Sequence, residues 1–216
     1  VQREHAPDPE AQLIWHHAGP ARGTVVAEYL ERRGIPILPP TIRSGFYTHP
    51  GYEMPATVAA VQRSDGKVVA IQRTILTHNG EKASLRTPKI TTGSLGHGAV
   101  RLAAAAESMG LAEGVETALS AQIMSEVPVW ASLGSQRLDR VELPPCVRTV
   151  HIFGDNDEPG HAAADRTAAV HRRLDRKVVI HYPPAELNDF NDLLNADADD
   201  ALRDLKTRVD EGSVAA

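Results

Sequence analysis

Cysteine is nearly absent: Cys146 is the only one in 216 residues. A disulfide framework and a cysteine-based zinc site are thereby excluded within one chain. Aromatic residues are scarce too, at 4% against a hydrophobic content of 42%. The core must then be packed from aliphatic side chains and alanine, which suits helices on a parallel sheet better than a β-sandwich. No apolar run approaches the roughly 20 residues needed to span a bilayer. The start, VQREHAPDPE, has no hydrophobic signal core. The expectation is a cytoplasmic protein with no membrane partner. Residue 1 is not methionine, which suggests a truncation or an internal boundary. There is no GxxxxGK(S/T) loop for an attached ATP-driven motor, no GxSxG nucleophile signature and no internal repeat. A net charge of −5 argues against non-specific coating of nucleic acid but leaves room for a local basic groove.

The N-terminal stretch Val1–Gly34 reads as helical. Pro9 opens a helix through Trp15, and Gly19-Pro20 breaks it. Thr24 caps VVAEYLERR, Glu28 lies close to the capping-box position, and Gly34 ends the helix. Proline and glycine crowd Ile35–Pro55, which predicts a long irregular loop. From Ala56 the period changes. Asp65-Gly66 and Asn79-Gly80 are hairpin signals between β-branched runs. They predict a three-stranded antiparallel meander over about Thr57–Leu85, a glycine-rich loop over Thr87–Gly98 and a short strand at Ala99–Leu102.

An alternating pattern follows. Strand Ser108–Ala112 leads to helix Val115–Glu126, and strand Val129–Ala131 to a short helix near Arg137–Val141. Strand Val147–Phe153 leads to helix Gly160–Leu174, and strand Lys177–Tyr182 to helix Phe190–Leu194. Such alternation predicts an α/β fold with a parallel sheet of about four strands and right-handed crossovers. The expected division is a small α+β subdomain over 1–105, the α/β domain over 106–195 and a charged helical tail over 196–216.

Acids sit where those strands end. They are Glu113 in LAEGVETAL, Asp155 and Asp157 in VHIFGDNDEPG, and Asp189 in LNDFNDLL. Carboxylates at the carboxyl ends of parallel strands are what a magnesium-dependent phosphoryl-transfer site needs. Alternate residues of an extended segment point the same way, so Asp155 and Asp157 could share a metal. Gly114 would let the chain turn sharply after Glu113, and Gly160 would permit a tight turn or a close phosphate approach. The competing reading is that each acid caps the helix after it, although three caps would not also need Gly114 and Gly160. Glu116, Glu158 and Asp192 read as caps or solvated charges.

The spacing of these motifs carries a resemblance. EG before a helix, then DxDxxG after the third strand about forty residues on, resembles the Toprim domain. Bacterial primases, topoisomerases, some nucleases and recombination proteins share that domain. NDFNDLL is similar to the later acidic motif of the primase branch, which implies that Asp189 is a metal-proximal carboxylate positioned by Asn191. VAEYLERRGIP is similar to the start of the polymerase core of DnaG-type primases. SDGKVVAIQRTIL is similar to the strand of that core carrying a glycine, apolar residues and an arginine, here Arg73. EKASLRTPKITTGSLGHGAVRL resembles, more loosely, the loop before the Toprim strand, where Lys89 would contact nucleotide or template. The likeness runs from about Thr24 to Leu194. AEGVETALS and DNDEPGHAAA look most like Toprim proteins of plasmids, phages and integrative elements. Two departures matter. The zinc ribbon that precedes such cores is ruled out by the single cysteine, and the helical bundle that follows them is reduced to the short tail.

The resemblance implies magnesium- or manganese-dependent nucleotidyl transfer with two ions and no zinc. Glu113, Asp155 and Asp157 would be catalytic, and these three with Asp189 would hold metal. The partners would be single-stranded DNA and nucleoside triphosphates, with a helicase or another replication or host protein. A Toprim nuclease and a non-catalytic binding module from a mobile element are the alternatives. Phosphate contacts fall to Arg63, Arg73, Lys82, Arg86 and Lys89, a local basic bias with few acids between. Such residues also serve solubility and edge protection in surface hairpins. Among ten histidines, His97 in the glycine-rich loop is the one placed to touch phosphate. Cys146 reads as a packing residue, and Trp15 and Trp130 as core or contact residues. Tyr47 and Tyr52 are available for base stacking.

Overall fold

Side-chain caps start the first two helices of the computed structural model, which describes residues 6–214. Asp8 accepts from the Ala11 N–H at 2.9 Å and opens α1 (Pro9–His17). Thr24 Oγ1 accepts from the Val26 N–H at 3.2 Å and opens α2 (Val25–Arg32). The reciprocal half of a capping box does not form, because the Thr24 N–H donates to Ala21 O at 3.2 Å. Residues 1–5, at the start of the stretch expected to be helical, and residues 215–216 of the expected tail lie outside the described residues. The chain divides into two compact units, Val1–Arg101 and Leu102–Ala216.

In the first unit, β1 (Gly19–Pro20) pairs with β2 (Ile42–His49), and β2 pairs antiparallel with β3 (Tyr52–Gln62). This corrects the expected irregular loop over Ile35–Pro55. Only its first part is irregular. Pro50-Gly51 closes a tight hairpin with His49 opposite Tyr52, and Gly51 takes φ 95°, open to glycine at little cost. Pro55 lies inside β3 opposite Phe46; its carbonyl still accepts from Leu76 N–H at 2.8 Å. The Asp65-Gly66 turn leads as expected into β4 (Val68–Ile75), antiparallel to β3. The Asn79-Gly80 turn also forms, with Thr77 N–H donating to Glu81 O at 2.7 Å, but only the single bridge Leu76↔Lys82 follows. The expected strand to Leu85 is absent. Instead β5 (Lys89–Thr92), within the stretch expected as a glycine-rich loop, pairs with β4. Its β-branched Ile-Thr-Thr run fits a sheet edge better than the Ala-Ser-Leu-Arg that follows Lys82. Then β6 (Ala99–Arg101) pairs with the end of β3. One core cluster joins Ala11 and Ala18 to Val58 and Ile71, with Trp15 packed against it.

The second unit follows the sequence pattern closely. In order it runs β7 (Ser108–Ala112), α3 (Val115–Ser125), β8 (Val129–Ala131), a 3-10 turn (Ser135–Arg140), β9 (Thr149–Phe153), α4 (Glu158–Arg172), β10 (Lys177–His181), α5 (Phe190–Leu194) and α6 (Asp199–Val214). These four strands are parallel, in the order β8-β7-β9-β10. The strands β7, β8 and β9 are almost wholly buried, as a sheet covered on both faces requires. Gly110 makes room for the Phe153 ring on the neighbouring strand: a Cβ there would lie 2.5 Å from it. Trp130 is buried and donates from Nε1 to Ala103 O at 2.8 Å. Cys146 is exposed, not packed; it sits at the tip of a turn closed by Val147 N–H on Pro144 O. Among the described residues no helix is long and apolar enough to cross a membrane.

This strand order has a consequence for chemistry. From β7 the chain steps to β8 on one side and then returns to β9 on the other. Crossovers leave in opposite directions there, and the carboxyl ends of β7 and β9 flank the switch point at which open α/β sheets place their ligands.

Candidate active site

Glu113 directly follows β7, and Asp155 lies two residues beyond β9 on the adjacent strand. Both are half-buried, and Asp155 Oδ1 is fully buried. Backbone bonds fix each stem. Leu133 N–H donates to Glu113 O at 2.8 Å, and Gly154 N–H donates to His181 O at 3.0 Å. The residue between the two aspartates, Asn156, fastens this loop to the one that precedes Asp189. Its N–H donates to Asn188 O at 2.7 Å, and its Nδ2 donates to Pro184 O and Leu187 O at 3.3 and 3.2 Å. Its Oδ1 is left to accept from His161 Nε2 at 3.0 Å, while the His161 ring stacks on Tyr182 at 4.1 Å.

Two of the expected metal ligands are also helix caps. Asp157 Oδ1 accepts from Gly160 N–H at 2.7 Å and starts α4. Asp189 Oδ1 accepts from Asn191 and Asp192 N–H at 2.7 and 2.9 Å and starts α5. Each therefore keeps one oxygen for another partner. Gly160 is where space is tight, since a Cβ would lie 2.3 Å from Asp155 O. Gly114 is not. It takes φ −97°, ψ 158°, which any residue adopts, and a Cβ there would meet nothing closer than 3.4 Å. The sharp turn after Glu113 thus does not require glycine.

Glu116 corrects another expectation. It is buried at 7% exposure rather than solvated, because α3 is enclosed on most of its circumference. Asp192 and Glu158 are exposed as expected. Asn191 is buried, and its Nδ2 donates to Ser120 Oγ at 2.9 Å, which donates to Glu116 O at 2.9 Å. This chain ties α5, and with it Asp189, to α3. Sequence reasoning also passed over the loop after β8. There Leu133 takes φ 66°, a left-handed conformation that costs a non-glycine residue about 1–2 kcal/mol. Arg137 donates from Nη1 to Ser132 O in the same loop. Burial, with Arg140 nearby, pushes its guanidinium down to about 10, so it stays charged at neutral pH. The readable signal was the Leu-Gly-Ser turn directly after a strand; Asn156 was flanked by the two acids that drew attention.

Among the described residues no three His, Cys, Asp or Glu side chains form a group that could hold a metal ion. Magnesium, however, binds through one or two carboxylates plus water and substrate phosphate. An all-oxygen pair, Glu113 and Asp155, at adjacent strand ends fits such a sparse site, with Asp157 and Asp189 as further oxygens.

The basic residues lie in the first unit. Arg63 is held by Asp65 in the β3–β4 turn, at 3.0 and 2.5 Å, and this bonding holds the Asp65 carboxyl well below the usual carboxylate range. Arg73 lies on β4 with its guanidinium 5.4 Å from the Tyr47 ring centre, donating to Thr92 Oγ1 at 3.4 Å. Lys89 opens β5 opposite Thr74. Lys82, Arg86 and His97 are exposed in the connections.

Comparison with known proteins agrees with this fold. Residues 6–102 match the family described as Domain of unknown function (DUF7146), and residues 108–200 match the Toprim domain family. No curated protein matches the sequence. Among solved structures, a DNA primase domain from Pseudomonas aeruginosa is similar at 15% identity and a TM-score of 0.59, over 93% of this chain and 78% of that one. The primase fragment of the bacteriophage T7 primase-helicase protein is similar at 18% identity and 0.56, over 86% and 71%. The DnaG primase catalytic domain solved bound to single-stranded DNA gives 13% and 0.59, over 93% and 77%. The chain therefore carries a Toprim domain, in a fold similar to the catalytic cores of DnaG-type bacterial and phage primases.

Proposed function

We propose that the protein catalyses divalent-metal-dependent nucleotidyl transfer, extending a primer on single-stranded DNA. The observation that carries this reading is the placement of Glu113 and Asp155 at the carboxyl ends of two adjacent parallel strands, at the point where the crossovers diverge. In this reading a primer 3′-hydroxyl attacks the α-phosphate of a nucleoside triphosphate, the α–β bond breaks and pyrophosphate leaves. Glu113 and Asp155 would hold magnesium, which when bound supplies positive charge to the phosphate oxygens and acidifies the attacking hydroxyl. Asp157 and Asp189 offer the oxygens their caps leave over. Glu113 either ligates or takes the hydroxyl proton. Asn156, Gly160 and Asn191 position these carboxylates without touching substrate. Arg73, Lys89 and the neighbouring basic residues hold phosphates of the strand or the triphosphate. The T7 relative is a fragment of a primase-helicase protein; a helicase or another replication protein is the partner this reading assigns.

The test is a gel assay on labelled single-stranded DNA with magnesium or manganese, with and without nucleotides. Products that need both metal and nucleotides support nucleotidyl transfer. Shortened strands in both arms would make the site a nuclease, and silence in both would leave a binding module.

A further inference from the structure

The β2–β3 hairpin ends in an aromatic surface that neither the core nor the acidic site uses. Directly opposed residues of an antiparallel pair share a face, as does every second residue along a strand. The register His49↔Tyr52 and Tyr47↔Met54 puts Tyr47, His49 and Tyr52 on one face. Carried through Val58↔Arg73, the same ladder brings Arg73 to that face. The His49 and Tyr52 rings stack at 4.9 Å, and Tyr47 lies 6.5 and 6.4 Å from them. Helix α1 covers this face only farther along the sheet, at Val58 and Ile71. Tyr52 remains 43% exposed. A cross-strand ring pair stabilises a hairpin, but that role needs neither the third ring nor the arginine.

Arg73 supplies the second observation. Its Nε is buried with no hydrogen-bond partner, and its bond to Thr92 is long at 3.4 Å. Among the described residues no carboxylate pairs with it. The guanidinium as a whole is only half-buried, so an anionic acceptor arriving beside the rings would meet a charge that its long bond to Thr92 satisfies poorly. Flat rings flanked by such a donor match unpaired bases joined by phosphates: the bases stack and the guanidinium takes a phosphate oxygen. An aliphatic protein surface would leave the guanidinium without an anion, and a duplex keeps its base faces covered.

We propose that Tyr47, His49, Tyr52 and Arg73 form a metal-independent stacking site for the unpaired bases of a single-stranded nucleic acid. The site shares Arg73 with the proposed function but uses none of its acidic residues, so either can fail alone. The test is fluorescence anisotropy of the full chain in EDTA with labelled dT20, U20, an abasic strand of equal length and a duplex. Tyr52→Ala should weaken dT20 or U20 binding on the order of tenfold while Tyr52→Phe retains it. The abasic strand and the duplex should bind more weakly than the unpaired strands, and whichever of dT20 and U20 binds tighter identifies the natural ligand. Arg73→Gln should lower the salt dependence by about one phosphate contact. Circular dichroism confirms folding of each variant. An unchanged dissociation constant for Tyr52→Ala, or equal binding of the abasic strand, would overturn the proposal.

Discussion

At the scale of single residues, capping and metal binding make separable demands on one carboxylate. Asp157 caps α4 through Oδ1. Asparagine caps as well as aspartate, and alanine does not. Asp157→Asn is therefore expected to leave stability unchanged, and Asp157→Ala to cost about 1 kcal/mol. If the carboxylate also holds metal, both variants lose nucleotidyl transfer; urea titration beside the gel assay reads the two effects apart. The two glycines next to the acids behave differently. Gly160→Ala pushes a Cβ against Asp155 O, and should cost about 1–3 kcal/mol and most of the activity. Gly114→Ala meets the Thr117 hydroxyl at 3.4 Å and the Glu116 carboxylate at 3.8 Å, both ordinary contacts, and should stay within about 1 kcal/mol with activity kept. The two were alike in the sequence, each shortly after an acid where a helix was expected to begin. Only the backbone path separates them, and a residue's identity does not state its path.

At the scale of elements, β9 and β10 carry a buried histidine pair whose imidazoles are neutral. Ser108 Oγ lies 2.9 Å from His151 Nε2, and His151 Nδ1 lies 2.9 Å from His181 Nε2. With a proton on each Nε2, His181 donates to His151 and His151 to Ser108, leaving His181 Nδ1 as a bare acceptor, cheaper to bury than an unmet N–H. Burial lowers the basicity of both, helped by Lys177 at His151 and by His151 and Arg208 at His181. Burial and then Arg176 push His171, on α4, down to about 4. A base depressed in the folded state favours unfolding once the unfolded chain takes protons that the folded one refuses. The stability these groups confer is full above about pH 6.5 and is lost as pH falls toward about 4. Thermal melts from pH 7 to 4 should drop steadily in that window, and His181→Phe, which keeps a ring on Phe153, should reduce the slope. A flat profile would contradict this account. Legibility differed sharply between elements. The parallel strands and their helices were readable because hydrophobic runs alternate with helical periods and acids close β7 and β9. Strands β2 and β5 and the start of β3 were not, because Gly45, Pro55 and the residues before Lys89 signal irregular chain locally, and the partner strand overrides that signal.

At the scale of the whole molecule, the two units were legible to different degrees. Glu113, Asp155 and the helices after them were placed from spacing alone. The ties that hold those acids, from Asn156 to two carbonyls and from Asn191 to Ser120, join residues about thirty and seventy apart in sequence. No local pattern announces them. The basic residues of the first unit did not behave as one set: Arg63 is occupied by Asp65, whereas Arg73 faces the aromatic hairpin. The fold is shared with primase cores at 13–18% identity, so the likeness reports architecture, and the activity we propose stands on the acids alone.

The measurement that tests this most directly is magnesium-dependent incorporation of labelled nucleotides on single-stranded DNA by the native chain, Asp155→Asn and Glu113→Gln side by side. The account predicts products from the native chain and at least a hundredfold less from either variant, on the order expected when a group acting at the reacting phosphate is lost, with unchanged circular dichroism. Equal incorporation by all three would contradict it.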